Sequence, residues 1–239
     1  MLKVCIVIPI YKEQPSESEL FSLACCKQIL GQYETFLVAP EGLEVQNYLS
    51  QHADLKQVTF DAKYFEGVKG YNKLCMSPQF YKAFLDYDYM LIYQLDALIF
   101  RDELMDWCNK GYSYIGAPWI EVPASGKKTI YNLSKHLYRK VGNGGFSLRK
   151  TTQHYRNTLI FKPLMWVFPK NEDFFWCLFI SFINPWYTKP SVAEALKFAF
   201  ELAPKKAYEL NNRQLPFGVH AWEKYDLAFW KSLELPFRL

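Results

Sequence analysis

The chain opens on a continuous apolar run, Val4, Cys5, Ile6, Val7 and Ile8, followed by Pro9 and Ile10, with no alternation of polar and apolar positions. A short β-branched run of this kind predicts a central parallel strand buried on both faces and ended by Pro9. Polar positions follow, and then Ser16 and Glu19 stand three apart ahead of Leu20, Leu23, Ala24, Ile29 and Leu30. That S-x-x-E spacing before apolar positions at helical period predicts a capped helix closed by Gly31. The alternation then repeats. Strands are expected at Phe36 to Ala39 and Val58 to Phe60, short helices from Val45 to Leu49 and from Ser77 and Pro78 to Phe84, and the strongest strand at Tyr89 to Tyr93. Strands alternating with helices predict an α/β fold whose central, mostly parallel sheet is flanked by helices.

Beyond residue 100 the pattern loosens. A short helix capped by Asp102 is followed by an apolar segment over 112–119 and a polar stretch from Glu121 to Tyr138 that reads as an irregular loop. Gly142, Asn143, Gly144 and Gly145 lead into Phe146, Ser147, Leu148 and Arg149. Helices are expected from Asn171 to Ile183 and, from a second S-x-x-E box at Ser191 and Glu194, through Phe200. No repeat, low-complexity tract or linker interrupts the chain, so one domain over 1–239 is expected.

Half of the 239 residues are apolar and 18% aromatic, enough to bury one sizeable core, which excludes disorder for most of the chain. Apolar stretches such as 176–183 stop well short of the roughly 20 residues of a membrane span, and Met1 runs directly into a strand-like segment; a cytoplasmic protein is expected. The six cysteines form no CxxC pair and read as reduced core residues. Charge is divided unevenly: residues 1–133 carry 12 Lys and Arg against 16 Asp and Glu, and residues 134–239 carry 16 against 8. The basic half suits a phosphate-bearing substrate, a lipid-linked acceptor at a membrane surface, or nothing specific. Its cations are dispersed singly, so nucleic acid is not an expected partner.

In wound parallel sheets ligands bind beyond the carboxyl ends of the strands, and three polar clusters stand there. The first runs from Pro9 to Glu13, the second is Gln94, Leu95 and Asp96, and the third is Asn171, Glu172 and Asp173. Asp96 is an isolated carboxylate among apolar residues, which calls for a cation, a lysine or a helix N-terminus beside it. Glu172 and Asp173 at a helix start serve either the helix dipole or a general base. Three glycines over 142–145 permit close backbone approach, but no GK[ST] follows to make a P-loop. His220, set among Pro216, Gly218 and Trp222, suits a metal or a phosphate, whereas His52, His136 and His154 read as surface residues.

Taken in order, these clusters resemble the GT-A glycosyltransferases, nearly end to end. The motifs that carry the likeness are KGYNKL (69–74), YQLDA (93–97), YIGAPW (114–119), GNGGFSLR (142–149), NEDFFW (171–176) and PFGVHAW (216–222). They are most similar to a bacterial domain family found among surface-polysaccharide glycosyltransferases.

The resemblance implies a GT-A-like, Rossmann-related fold with a nucleotide-sugar-binding half over 1–120 and an acceptor and catalytic half over 121–239. It implies Pro9, Tyr11, Glu13, Lys73, Gln94 and Asp96 at the donor, Trp119, Gly144 and Gly145 at the acceptor, and Asp173 with Glu172 in catalysis. Asp96 and His220 would hold Mn2+ or Mg2+; Gln94 replaces the first carboxylate of the family's acidic motif, which weakens that expectation. The implied partners are a nucleotide-sugar donor and a glycan or lipid-linked acceptor, with transfer by inversion, in the cytoplasm or at the inner membrane face. A retaining outcome and a catalytically inactive sugar-nucleotide-binding module remain open alternatives. A nucleotidyltransferase would want a glycine-rich loop after the first strand, and residues 10–16 contain no glycine.

Overall fold

In the computed structural model, which describes residues 2–121, 140–164 and 171–237, the opening apolar run forms strand β1 (Val4–Pro9). Its side chains divide by parity. Ile6 and Ile8 enter one core cluster with Leu91 and Tyr93, while Cys5 and Val7 enter a second with Met90 and Ile92. Burial on both faces is why the run shows no alternation.

Helix α1 (Glu17–Leu30) follows with its capping box complete, Ser16 accepting from the Glu19 amide while the Glu19 carboxylate accepts from the Ser16 amide. Next come β2 (Glu34–Pro40), α2 (Gln46–Leu49), β3 (Lys56–Phe60), α3 (Gly67–Cys75), α4 (Pro78–Lys82) and β4 (Tyr89–Tyr93). Ser77 caps α4 through the Phe80 amide, and that helix ends two residues earlier than its apolar pattern suggests. The chain continues through β5 (Leu98–Ile99), α5 (Leu104–Asn109), β6 (Tyr114–Gly116), β7 (Phe146–Lys150) and α6 (Thr151–Ile160).

Two sheets result. The larger has the order β3-β2-β1-β4-β7-β6, parallel from β3 to β4 and antiparallel at β7 and β6. The sheet is therefore mixed at one edge, because β7, which carries the glycine segment at its start, runs back along β4. The smaller sheet has the order β5-β9-β8, from β8 (Ala199–Phe200) and β9 (Gly218–Val219). Helix α9 (Val192–Phe198), preceded by α7 (Glu172–Phe174), a π-helix (Phe175–Ile180) and α8 (Ser181–Ile183), stops at Phe198. The helix expected through Phe200 is corrected there: Ala199 and Phe200 pair with Gly218 and Val219 instead.

All six cysteines are free and buried, as their apolar settings predict. His154 is not a surface residue. It is fully buried, with Nδ1 against the Lys150 carbonyl at 3.0 Å and Nε2 against the Tyr187 hydroxyl at 2.9 Å, and Trp176, Tyr81 and Tyr187 pack around its ring. Helical position 154 on α6 faces the sheet, and two hydrogen bonds make burial of the imidazole tolerable. His52 is half-buried, and His136 lies outside the described residues, as does nearly all of the loop expected from Glu121 to Tyr138.

Candidate active site

A cleft of about 490 Å³ opens at the carboxyl ends of β1 and β4, the place a wound sheet reserves for ligands. Pro9, Tyr11 and Lys12 line it after β1, and Gln94 and Asp96 after β4; Tyr64, Val68 and Tyr71 close it from the side of α3. Helix α2 pins the loop after β1: the Tyr48 hydroxyl donates to the Lys12 carbonyl at 3.0 Å, and the Asn47 amide to the Glu13 carbonyl at 3.0 Å. Lys12 meets Glu19 at 2.6 Å within the cleft, and Tyr11 stands 65% exposed at its mouth.

The small sheet brings distant residues to Asp96. Pairing of Leu98 with Val219 sets His220 beside the turn after β4, and pairing of Phe200 with Val219 sets Glu201 beside His220. His220 Nε2 lies 3.1 Å from Gln94 Oε1 and 3.2 Å from Asp96 Oδ1, and Nδ1 lies 3.2 Å from Glu201 Oε1. Burial alone would lower the pKa of this imidazole, but the hydrogen bonds and charges of Asp96 and Glu201 outweigh it and raise it to about 10. Burial pushes the Asp96 carboxyl up, and the hydrogen bond and charge of His220 overcome this and hold it below the usual range. The Asp96 side chain remains about half exposed to the cleft.

On the other side of β7, Asn171 caps α7 through the Phe174 amide at 3.1 Å and so presents Glu172 and Asp173. Glu172 is buried in an ion pair with the fully buried Arg149, Nη2 to Oε1 at 2.9 Å, and its amide donates to Asn72 Oδ1 at 3.0 Å. Arg149 is further held by the Tyr81 hydroxyl at 2.8 Å and Ser147 Oγ at 3.0 Å. Glu172 Oε2 and Asp173 Oδ1 are buried and have no hydrogen-bond partner among the described residues. Burial, and then the charges of Glu172 and Glu201, hold the Asp173 carboxyl well above the ordinary carboxylate range, against the opposing pull of Arg149 and His220.

Gly144 and Gly145 join the two groups. A Cβ on Gly144 would fall onto Glu172 Oε1 and 2.9 Å from Asp173 Oδ1; one on Gly145 would fall onto His220 Nε2 and 2.7 Å from Gln94 Oε1. Adjacent glycines thus seat the His220 group and the Asp173 group against neighbouring residues of one strand entry.

Not every residue expected in the site reaches it. Lys73 is exposed on α3 and does not line the cleft; its helix neighbours Tyr71 and Asn72 face the cleft and Glu172 instead, as the 3.6-residue period requires. Glu13 is exposed and does not line the cleft. Trp119 is 6% exposed and packs in the second core cluster with Trp176 and Cys177, which leaves no ring face open for stacking on a sugar. Conversely, Glu201 and Arg149 were not among the expected site residues. The signal for Arg149 was a cation ending an apolar strand; Glu201 follows a two-residue strand whose residues match the helical pattern before it.

The His220 group already carries a positive charge: with its pKa raised to about 10 the imidazole is a cation at neutral pH, its ring N–H groups donating to Asp96, Gln94 and Glu201. A divalent cation could be held at Nε2 only once that nitrogen gave up the proton it donates to Asp96 and Gln94; Glu201, accepting from Nδ1–H, would then orient the ring as such a ligand requires. Among the described residues no three His, Cys, Asp or Glu side chains gather at metal-holding spacing, so Asp96 and His220 would act with Gln94 and the ligand itself.

A family model described as "Protein of unknown function (DUF5672)" matches residues 54–220. No curated protein matches the chain by sequence. Among solved structures, mouse xyloside xylosyltransferase 1 in its apo form is similar with a TM-score of 0.53 and 12% identity, over 92% of this chain and 97% of that one. An active-site mutant of LgtC gives 0.51 and 13% over 90% and 86%. The apo WbbM bifunctional glycosyltransferase gives 0.51 and 14% over 92% of this chain, which spans 45% of that protein. At such identities the likeness is one of fold: a mixed α/β domain of the GT-A type.

Proposed function

This chain belongs to the DUF5672 family, and from that premise we propose that it is a glycosyltransferase, moving a sugar from a nucleoside-diphosphate donor to a hydroxyl of a glycan or lipid-linked acceptor. The observation that carries the reading is the meeting of two groups at Gly144 and Gly145: Gln94, Asp96 and His220 on the cleft side, and Asp173 on the other. The first group suits a diphosphate leaving group and the second suits a proton acceptor. The GT-A fold raises the prior for this chemistry by analogy.

In this reading the nucleoside lies against Pro9 and Tyr11, with its diphosphate toward Asp96 and His220. A cation, Mn2+ or Mg2+, held by Asp96 and His220 beside Gln94 would neutralise the negative charge of the departing diphosphate. Asp173 takes the proton of the acceptor hydroxyl as that oxygen attacks the anomeric carbon, and the nucleoside diphosphate leaves from the opposite face. Its raised pKa makes it a stronger base than an ordinary carboxylate once it is ionised. Arg149 holds Glu172 fixed, so that the adjacent Asp173 keeps a defined position. The two buried oxygens without partners, on Glu172 and Asp173, are acceptors that sugar hydroxyls would satisfy.

The test is turnover. Release of nucleoside diphosphate from a panel of UDP-, GDP- and TDP-sugars, with and without Mn2+, is expected for one nucleotide class. Asp173→Asn should lose about 10²–10⁴-fold in rate while keeping donor affinity. Donor binding with no turnover in the wild type would instead support an inactive binding module, the reading that Gln94 in place of a carboxylate favours. A product that kept the donor's anomeric configuration by NMR would remove Asp173 from the role of base.

A further inference from the structure

Away from the cleft, large apolar side chains stand in solvent on two neighbouring segments. Phe182 is 87% exposed at the end of the helical stretch that begins with Glu172, and Trp186 is 80% exposed just beyond it. Leu159 and Ile160 are exposed at the end of α6. The segments lie side by side, because the Asn184 amide donates to Asn157 Oδ1 at 2.9 Å and the Gln153 amide to the Trp186 carbonyl at 2.7 Å. Isolated exposed leucines are ordinary, whereas an exposed Phe and Trp beside them call for a partner.

Charge indicates which partner. Residues 150–190 contain five Lys and Arg and only two acids, Glu172 and Asp173; Glu172 is turned inward onto Arg149 and Asp173 Oδ1 is buried. Arg156 shares the exposed face of α6 with Leu159 and Ile160 at helical spacing, and Lys162 follows on the next turn, also exposed. Protruding aromatics beside the exposed cations Arg156 and Lys162 suit a surface that is apolar beneath and anionic at its face. No helix among the described residues is long and apolar enough to cross a membrane, so the contact would be interfacial.

We propose that the face carrying Phe182 and Trp186 docks onto an anionic lipid bilayer. One helical stretch, α7 through α8, carries Asp173 at its start and Phe182 near its end, about 13 Å apart at helical rise. Docking there would set the acceptor side of the site within reach of a lipid-linked sugar.

The test is flotation of the full chain with vesicles of phosphatidylcholine alone or mixed with phosphatidylglycerol, which reads binding without any donor and so stands or falls apart from turnover. The wild type is expected to float with the mixed vesicles and to be released by salt. The double variant Phe182→Ser/Trp186→Ser should partition roughly tenfold less, and Arg156→Gln/Lys162→Gln should lose the preference for anionic vesicles, each with an unchanged circular dichroism spectrum. Should the double serine variant not fold, Trp186→Ser alone and the double glutamine variant carry the same expectation. Failure of the wild type to float with mixed vesicles overturns the proposal, as does equal binding by folded serine variants. A wild-type dimer that Trp186→Ser makes monomeric, with no vesicle binding, would show the face to be an interface between copies and also overturn it.

Discussion

Gly145 is the residue against which His220 and Gln94 are seated. Alanine there would place its methyl group against His220 Nε2 and Gln94 Oε1, and His220 cannot retreat without leaving Asp96 or Glu201. Gly145→Ala is expected to cost about 1–3 kcal/mol of stability through overpacking. Displacing these groups by even an ångström should cost about 100-fold or more in turnover, read as kcat/KM with the folded fraction checked by melting. Glu172 tests a different effect, because its partner Arg149 has no access to water. Glu172→Gln leaves that guanidinium buried without its counter-charge, and about 3–5 kcal/mol should be lost in urea unfolding. Arg149→Met with Glu172→Leu, which removes both charges, should recover much of this loss.

At the scale of elements, α6 and the π-helix enclose His154, and its protonation state ties their packing to pH. Burial, and then the charge of Arg149, hold its pKa well below the ordinary imidazole range, so the folded chain keeps the ring neutral. The unfolded chain takes up a proton as pH falls below about 6.5, and the folded chain does not follow until lower pH. Stability should therefore fall below about pH 6.5, by up to about 1.4 kcal/mol per pH unit from this group. His154→Gln should flatten that part of the melting-temperature profile relative to wild type.

The same elements show what a sequence can disclose. The Ser16 and Glu19 box, the strand ended by Pro9 and the strand at Tyr89–Tyr93 were legible because each is specified by local chemistry and by burial on both faces. The direction of β7 was not, since a buried apolar strand reads alike in either sense. Nor was β8, whose two residues continue the spacing of α9 and become a strand only through pairing with β9. With β8 unread, Glu201 had no visible place, and the site was legible as separate clusters without the residue that orients His220.

Over the whole molecule, all six thiols lie inside the cores, and burial pushes Cys25 up to about 11 and Cys26 and Cys108 to about 12. Thiolate is the reactive form, so the native chain at pH 8 should resist iodoacetamide, while all six thiols are modified in denaturant, as counted by intact mass. The melting temperature should not respond to reductant. The small sheet carries a different consequence. By pairing Leu98 with Val219, it ties residues from either side of position 120 into one group. His220 and Glu201 complete the surroundings of Asp96 from the far end of the chain. A recombination event that swapped only the first 120 residues for those of a relative would part Asp96 from the imidazole evolved beside it. Under the function proposed above, such a chimera should bind its nucleotide sugar more weakly than either parent, read by titration of the folded proteins.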